Sequence, residues 1–418
     1  MQAVSVVSWV VVAFAVAGVI LRPFRWPEFI WAVLGAALVV ILGAVPVSAA
    51  LAAAARGTDV YLFLIGMMLL SEVARDEGLF DYLARHAVQW SRGSKTRLFA
   101  IVYGVGTLVT IFLSNDATAV VLTPAVAAAT RTAKVGPLPY LFICAFIANA
   151  ASFVLPISNP ANLVLYGDHM PALPIWLAQF ALPSVLSIGA TFVALRLAQR
   201  KELAGAVEDA DHPGPLSLGG RIVAVGIVVT AVVLLVASTL GWQLGLPTFI
   251  SGVAVAIVVL LVSRQAPWTV LRHISWSVLP LVAGLFILVE ALDQTGVLRH
   301  LTDALHAAST NSVTWAAAVA GVLVAIGTNL VNNLPLGLVA ASVSHAAQSP
   351  VPVTNALLIG VDLGPNLSVT GSLATILWLI ALRREKISVS AAQFLKLGAV
   401  VMLPALVLSL GTMLLLSR

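Results

Sequence analysis

The sequence predicts an all-α polytopic membrane protein with two inverted repeats of five transmembrane helices, each repeat carrying a re-entrant helical hairpin and a broken helix. Three observations predict this fold: a lipid-compatible composition, polar breaks inside apolar runs, and an internal repeat. Of the 418 residues, 60% are hydrophobic and 9% charged, and the mean hydropathy is +1.05. This composition is that of a chain embedded in lipid rather than of a soluble enzyme.

Charge and cysteine usage exclude several classes of function. A net charge of +5 would suggest nucleic-acid binding in a soluble protein, but here the basic residues lie in short loops, where they indicate topology. We therefore expect no nucleic-acid partner. The single cysteine, Cys144, excludes an internal disulfide and a multi-thiolate metal site, and the seven histidines form no metal-spaced cluster. We expect no metal and no cofactor.

The first half of the chain reads in order as five crossings and one hairpin. Apolar runs predict spans at 3–22, 26–45, 57–74, 138–167 and 174–196, with an amphipathic stretch at 75–97 and a hairpin at 98–130. The first run has its charges, Arg22 and Arg25, after it, which is the reverse of a cleavable signal peptide. The fourth run is interrupted by prolines and asparagines at 156–162, so it predicts a broken helix.

The hairpin has a polar tip formed by Ser114, Asn115 and Asp116. An aspartate near the bilayer centre costs about 3 kcal/mol on translocon scales, so a retained one usually faces protein or water. The flanking runs, 98–113 and 117–130, are shorter than the ~20 residues of a full crossing. These features favour a re-entrant hairpin, with two ordinary spans joined by a polar turn as the alternative.

The second half repeats the first. At an offset of about 218, Gly66, Glu72 and Gly78 fall on Gly284, Glu290 and Gly296. At 217 the tip pair Asn115-Asp116 falls on Asn332-Asn333, and at 213 the break at 159–162 falls on 372–375. We therefore predict a first repeat at 1–198, a cytoplasmic linker at 199–220 and a second repeat at 221–418.

Charge predicts the orientation. Five crossings per repeat is an odd number, so the second repeat is inverted relative to the first. With the N-terminus outside, 19 of the 22 basic residues lie inside, and only Arg56, Arg299 and Arg418 lie outside. We predict a multi-pass protein of the inner membrane with both termini outside.

Interrupted helices in inverted repeats are typical of secondary transporters, whose site lies near the membrane midplane. We expect four polar elements to converge there. The candidate substrate-binding residues are Ser114, Asn115, Asp116, Ser158, Asn159, Asn162, Asn332, Asn333, Asn366, Thr370, Gly371 and Ser372. Their amides and hydroxyls could replace the hydration shell of a neutral polyhydroxyl solute or a small ion; the alternative is ordinary hydrogen bonding between helices.

Asp116 and Asp362 are candidate proton carriers. The chain has no phosphate-binding loop of the ATPase type, so energy must come from a gradient or a partner. Burial disfavours the charged form of a carboxyl group, which suits a proton carrier. The alternative for Asp362 is a structural hydrogen bond to an asparagine such as Asn149, and Glu72 and Glu290 are interpreted as structural.

Three stretches, 113–124, 332–335 and 362–375, resemble the signatures of ArsB-type arsenite/antimonite efflux permeases, members of the ion transporter superfamily. The resemblance runs the whole chain. It implies a scaffold and a moving part in each repeat, working by an elevator motion, and exchange of trivalent arsenic or antimony for protons. In some systems it also implies a soluble ArsA-type ATPase partner.

Carried over by resemblance, substrate binding falls on the two tips and on the two helix breaks. Arsenite is mostly a neutral trihydroxide at pH 7, which suits a site of amides and hydroxyls without arginine or lysine. A sodium site would use similar oxygens. The alternative is therefore a sodium/proton antiporter or a sodium-coupled anion carrier of the same superfamily.

Overall fold

The computed structural model describes residues 2–207 and 214–417, and in this part of the chain every regular element is helical. The first repeat consists of α1 (Gln2–Leu21), α2 (Glu28–Ile41), α3 (Val47–Ala55), α4 (Thr58–Asp76), α5 (Leu79–Trp90), α6 (Lys95–Leu113), α7 (Asn115–Ala117), α8 (Thr123–Thr132), α9 (Leu138–Ala150), α10 (Pro160–Tyr166) and α11 (Leu173–Ala198). The second consists of α12 (Leu218–Thr239), α13 (Gly245–Ser263), α14 (Pro267–Leu271), α15 (Val278–Gln294), α16 (Val297–Asn311), α17 (Val313–Val331), α18 (Asn333–Ala346), α19 (Val351–Leu363), α20 (Leu373–Arg384) and α21 (Ala391–Leu416).

Six helices of the described chain are long and apolar enough to cross a membrane, and eight spans result if each of two bent pairs counts as one. The bent pairs are α3–α4, at 47°, and α15–α16, at 79°. The helices α2 and α9 are apolar but shorter, and so is the Val6–Leu21 part of α1. The predicted broken helices are present: α9 and α10 are separated by residues 151–159, and α19 and α20 by residues 364–372. The all-α polytopic fold is therefore confirmed.

The two repeats have the same order of helices, except that α7 and α8 of the first repeat stand where the second repeat has the single helix α18. Both hairpins begin with a 19-residue helix, α6 and α17, which start at positions 95 and 313. Both repeats end with a 26-residue helix, α11 and α21, which start at positions 173 and 391 and so keep the same offset. Gly78 and Gly296 begin the amphipathic helices α5 and α16 with left-handed backbone, at φ 73° and 82°, a conformation that glycine adopts at little cost.

The repeats interlock through small residues. A Cβ added to Gly66 in α4 would overlap the carbonyl oxygen of Thr248 in α13. A Cβ added to Gly284 in α15 would lie 2.8 Å from the backbone of Ala32 in α2. Small residues let membrane helices approach closely. The third crossing of each repeat therefore packs directly on the second crossing of the other.

Polar contacts between loops join residues that the charge pattern assigns to one side. The hydroxyl of Ser217 donates a hydrogen bond to Glu77 Oε2 at 2.9 Å, and Arg131 forms an ion pair with Glu385. All four residues are predicted to be cytoplasmic. Residues 208–213 of the predicted linker, and Arg418, lie outside the described residues.

The predicted orientation can be checked by cysteine labelling. In a Cys144→Ala background, we expect Ala204→Cys in the linker to be shielded from an impermeant thiol reagent in intact cells. We expect Gln348→Cys, between α18 and α19, to be labelled, because both side chains are exposed but they lie on opposite sides in the proposed topology. Lysed cells, in which both positions should react, are the control. Labelling of Ala204→Cys in intact cells would contradict the orientation.

Candidate functional site

The two hairpin tips have the same backbone break. Ser114 has φ 82° and ψ 161°, and Asn332 has φ 73° and ψ 154°. Each residue stands between the two helices of its hairpin, in the register set by the starts of α6 and α17. Ser114 therefore corresponds to Asn332 and Asn115 to Asn333, so the predicted tip offset of 217 is wrong by one position. The sequence comparison favoured 217 because that offset aligns Asn115-Asp116 with Asn332-Asn333. The true register is set by the position of the chain break in each hairpin.

The tips meet in the protein interior. Asn115 and Asn333 are each 2% exposed, and both line one cavity of about 10 Å³, together with Asn159, Leu64 and Val278. That volume is roughly room for one water molecule. Hairpins that enter from opposite sides can share a cavity only if each tip stops inside the membrane. With the predicted orientation, the shared cavity favours re-entrant hairpins, a point that the sequence left open; by length alone, α6 and α17 are long enough to cross a membrane.

Asn115 and Asn333 also share an unusual hydrogen-bonding state. The Oδ1 atoms of both side chains are buried and have no hydrogen-bond partner in the described structure. Leaving a buried acceptor unpaired costs about 1–3 kcal/mol, so two such oxygens at repeat-related positions are unlike random packing defects. Both oxygens are available to a hydrogen-bond donor, or to a small cation, that enters the cavity.

The broken helices restart at capping residues beside this cavity. Asn159 Oδ1 accepts a hydrogen bond from the Ala161 amide at 3.0 Å, and Ser372 Oγ accepts one from the Thr375 amide at 3.1 Å. These caps begin α10 and α20, and they keep the offset that the sequence predicts for the two breaks. Such side-chain caps satisfy backbone donors that the start of a helix leaves free.

Each capping residue forms a hydrogen bond with the other repeat. Asp362 Oδ1 accepts a hydrogen bond from Asn159 Nδ2 at 2.7 Å. Asn149 Oδ1 accepts one from Ser372 Oγ at 3.3 Å. Asn149 and Asp362 are related by the same offset as the two caps, so the two contacts are equivalent. The predicted kind of partner for Asp362, an asparagine, is confirmed, but the residue is Asn159 and not the example, Asn149.

Most of the other predicted residues brace the site instead of lining it. Ser158 Oγ donates to the Ile111 carbonyl at 3.0 Å, and Asn162 Nδ2 donates to the Ser152 carbonyl at 2.9 Å. Each bond joins the chain break of the first repeat to neighbouring backbone. Ser158 and Asn162 therefore shape the site without facing the shared cavity.

The second repeat is braced in the same way. Asn332 Nδ2 donates to the carbonyl of Thr370 at 3.1 Å, and the amide of Asn333 donates to the carbonyl of Gly371 at 2.8 Å. Asn366 Nδ2 donates to the Phe146 carbonyl at 3.1 Å. The first two bonds fasten the second tip to the second chain break, and the third joins that break to α9 of the first repeat.

Asn329 was not predicted from the sequence. Its Nδ2 donates to the Gly364 carbonyl at 3.0 Å, and its Oδ1 accepts from Ser368 Oγ at 2.7 Å. In the register of the tips its equivalent in the first repeat is Ile111, so the repeat gave no signal. The role of Asn149 could have been predicted from the sequence, because Asn149 aligns with Asp362 at the offset that relates the two helix breaks.

Two further cavities flank the site. One, of about 60 Å³, is lined by Ser114 and Asp116 of the first tip and by Glu72 and His273; we call it the inner cavity, because the predicted topology places its Glu72 end on the cytoplasmic side. Asp116 also lines the cavity between the tips, so this residue lies between the two spaces. A larger cavity, of about 710 Å³, lies at the other ends of α10, α15 and α18, and the described residues that line it include none of the candidate site residues.

The brace at Asn149 gives a stability prediction. Asn149 Nδ2 donates to Asn366 Oδ1 at 2.9 Å in a fully buried setting. We expect Asn149→Ala to lower the free energy of unfolding by about 1–3 kcal/mol, because it leaves buried partners unpaired. Thermal unfolding in detergent measures the effect. Asn311→Ala, at the exposed end of α16, is the control, and equal midpoints for the two variants would contradict the brace.

Comparisons with known proteins identify the class. The family described as citrate transporter, CitMHS, matches residues 9–360. The chain is 28% identical over 370 residues to the arsenical pump membrane protein of Escherichia coli K12, covering 84% of each protein. It is 27% identical over 413 residues to an uncharacterized transporter of Mycobacterium tuberculosis, covering 94% of each.

Among solved structures, the chain resembles the YdaH transporter of Alcanivorax borkumensis, with a TM-score of 0.59 at 17% identity, covering 88% of this chain and 86% of the other. This likeness supports the fold. The arsenical pump relative agrees with the predicted resemblance to the arsenite/antimonite permeases of the ion transporter superfamily. The chain therefore belongs to the CitMHS family and is a secondary transporter with many membrane crossings.

Proposed function

We propose that this transporter extrudes arsenite and antimonite from the cytoplasm in exchange for protons. The proposal rests on Asn115 and Asn333, which line one cavity from the two tips and whose buried Oδ1 atoms have no hydrogen-bond partner in the described structure. A neutral trihydroxide presents three hydroxyl donors, and amide oxygens accept such donors without charge. Because the cavity of about 10 Å³ has room for one water molecule, the tips must move apart to admit this substrate. The described residues that line this cavity include no arginine or lysine, which suits a substrate without charge.

The proposed coupling uses Asp116. Its carboxyl group lines both the cavity between the tips and the inner cavity, so it faces the substrate space and a route to one side of the membrane. Asp362 is fully buried and accepts a hydrogen bond from Asn159. We assign the coupling proton to Asp116 and keep Asp362 as the second candidate.

The proposed motion is of the elevator type. The hairpins α6–α8 and α17–α18, with the broken helices α9–α10 and α19–α20, would form the moving part and carry the site. The remaining crossings would form the scaffold. The cavity between the tips shares lining residues with the inner cavity and none with the cavity of about 710 Å³ among the described residues, which supports assigning the structure to a state open toward the cytoplasm, given the proposed topology.

A second candidate is a sodium-coupled anion carrier, favoured by the description of the family as citrate transporter. Unpaired oxygens suit a small cation as well as a hydroxyl donor. The negative character of the site disfavours a tricarboxylate substrate, because Asp116 lines the site and Asp362 lies behind it. A citrate trianion would meet like charge in a space of low dielectric, which is costly.

Transport in everted membrane vesicles of an efflux-deficient strain tests the proposal. We expect uptake of arsenite and antimonite that requires a proton gradient, needs neither ATP nor sodium, and collapses with a protonophore. Vesicles without the protein are the control. Sodium-dependent citrate transport with no response to arsenite would replace the proposal with the second candidate. A requirement for ATP and an added ArsA-type ATPase would instead identify that partner as the energy source.

A further inference from the structure

The third crossing of each repeat carries a glutamate that lies close to a basic residue of the other repeat. Glu290 Oε2 in α15 accepts a hydrogen bond from Arg56 Nη2 at 2.6 Å, and Arg56 belongs to the first repeat. Glu72 Oε1 in α4 lies 3.7 Å from Nδ1 of His273, which belongs to the second repeat. The two glutamates are related by the offset of the repeat, and each basic residue precedes the third crossing of its own repeat. The two pairs are therefore equivalent, and they lie on opposite sides of the membrane in the proposed topology.

The basic partners differ chemically. Arginine stays protonated at every physiological pH, so Glu290 faces a fixed positive charge. Histidine gains and loses a proton in the physiological range. Only the inner pair can therefore exchange a proton with its basic member.

Only the inner pair also shares a space with Asp116. Glu72, His273 and Asp116 line the inner cavity, whose volume of about 60 Å³ has room for a few water molecules. The cavity of about 710 Å³, which the proposed topology places on the outer side and which we call the outer cavity, is lined by Leu338 and Val164 and by no tip residue among those described. Water in the inner cavity can therefore connect Asp116 to His273, whereas the outer cavity, on the Arg56 side, does not reach Asp116.

The charged surroundings of Glu72 leave His273 as the mobile proton site. On its own helix Glu72 is bound by Arg75 and has Asp76 nearby; His273 faces it from the segment before α15, and Asp116 faces the same cavity from the hairpin. The guanidinium group of Arg75 therefore places a permanent positive charge beside Glu72. Glu72, 3.7 Å from His273 Nδ1, is placed to orient the imidazole and to stabilise its protonated form.

The ring of His273 is oriented for this task. Its Nδ1 lies 2.7 Å from the Thr269 carbonyl oxygen, and because a carbonyl oxygen only accepts, Nδ1 must carry the hydrogen. Nε2 is then the nitrogen that gains and loses a proton. The side chain is 55% exposed, so Nε2 can reach both cavity water and bulk solvent.

We propose that His273, positioned by Glu72, passes the coupling proton from Asp116 to the cytoplasm. This inference rests on the proposed proton exchange. The Asp116 carboxylic acid loses its proton to cavity water, the water delivers a proton to His273 Nε2, and the imidazolium releases it to cytoplasmic water. Every group except Asp116 returns to its starting state.

Two fluxes in proteoliposomes separate this role from a structural one. His273→Gln should slow proton-driven arsenite transport by up to about 100-fold, the lower end of what a positioned proton-transfer group contributes, and should change its pH profile. Exchange of labelled for unlabelled arsenite should keep the wild-type rate, because it requires no proton release. Imidazole added on the cytoplasmic side should restore the proton-driven flux of His273→Ala.

His300→Gln, at an exposed position of α16, is the matched control and should behave as wild type. Wild-type proton-driven flux and pH profile in His273→Gln would overturn the relay, and so would equal loss of both fluxes without rescue by imidazole. Wild-type protein that shows no proton-driven arsenite flux at all would instead refute the proposed function, and the relay with it.

Discussion

Replacing Asp116 with asparagine should abolish proton-driven arsenite efflux while leaving arsenite binding intact. The asparagine side chain keeps the shape and hydrogen-bonding capacity of a protonated aspartate but cannot release a proton. Asp116 lines both the substrate space and the inner cavity, so its loss removes the proposed link between substrate and proton. We expect the net flux to fall by at least about 100-fold, the scale of a lost proton-transfer group.

The measurement is efflux from vesicles as a function of pH, with expression matched by blotting and arsenite binding followed by thermal stabilisation. Asp116→Asn should also lose the pH dependence of binding. Asp362→Asn is the comparison, because Asn149 makes the equivalent contact in the other repeat and an asparagine fits there. Wild-type flux in Asp116→Asn, with loss in Asp362→Asn, would move the proton role to Asp362.

Removing the two tip amides should abolish high-affinity substrate binding. The buried oxygens of Asn115 and Asn333 lack protein partners in the described structure, so in the proposed complex each accepts a hydrogen bond from the substrate. A hydrogen bond contributes about 0.5–1.5 kcal/mol, so each alanine variant should weaken binding up to about tenfold and the pair up to about 100-fold. The effects should be similar, because the two residues are repeat-related.

Arsenite-dependent thermal stabilisation of Asn115→Ala, Asn333→Ala and the double variant measures this effect. Without arsenite, loss of the Oδ1 atoms should not lower the unfolding temperature of these variants below that of wild type, because those atoms have no hydrogen-bond partner in the described structure. This outcome separates the tips from braces such as Asn149. Asn311→Ala is again the control. Unchanged stabilisation by arsenite in the double variant would remove the tips from the binding site.

The sequence by itself determined the class, the repeat and the positions of the chain breaks. Apolar runs of spanning length require a membrane, because no soluble core of this size is so poor in charge. The matching glycines, Gly66 with Gly284 and Gly78 with Gly296, indicated the repeat because close helix contacts and left-handed turns need glycine in both copies. Breaks at 114 and 159 could be predicted because polar residues and prolines cannot continue an apolar helix.

Only the tertiary structure decided how these parts meet. Whether the hairpins stop inside the membrane depends on the shared cavity of Asn115 and Asn333, and both the re-entrant and the fully spanning topologies return the chain to the same side, so charge could not distinguish them. The tip register depends on the backbone at Ser114 and Asn332, which adjacent asparagines obscured. The partner of Asp362 depends on which repeat lies across the interface, and a hydrogen bond between residues so distant along the chain leaves no local pattern in the sequence.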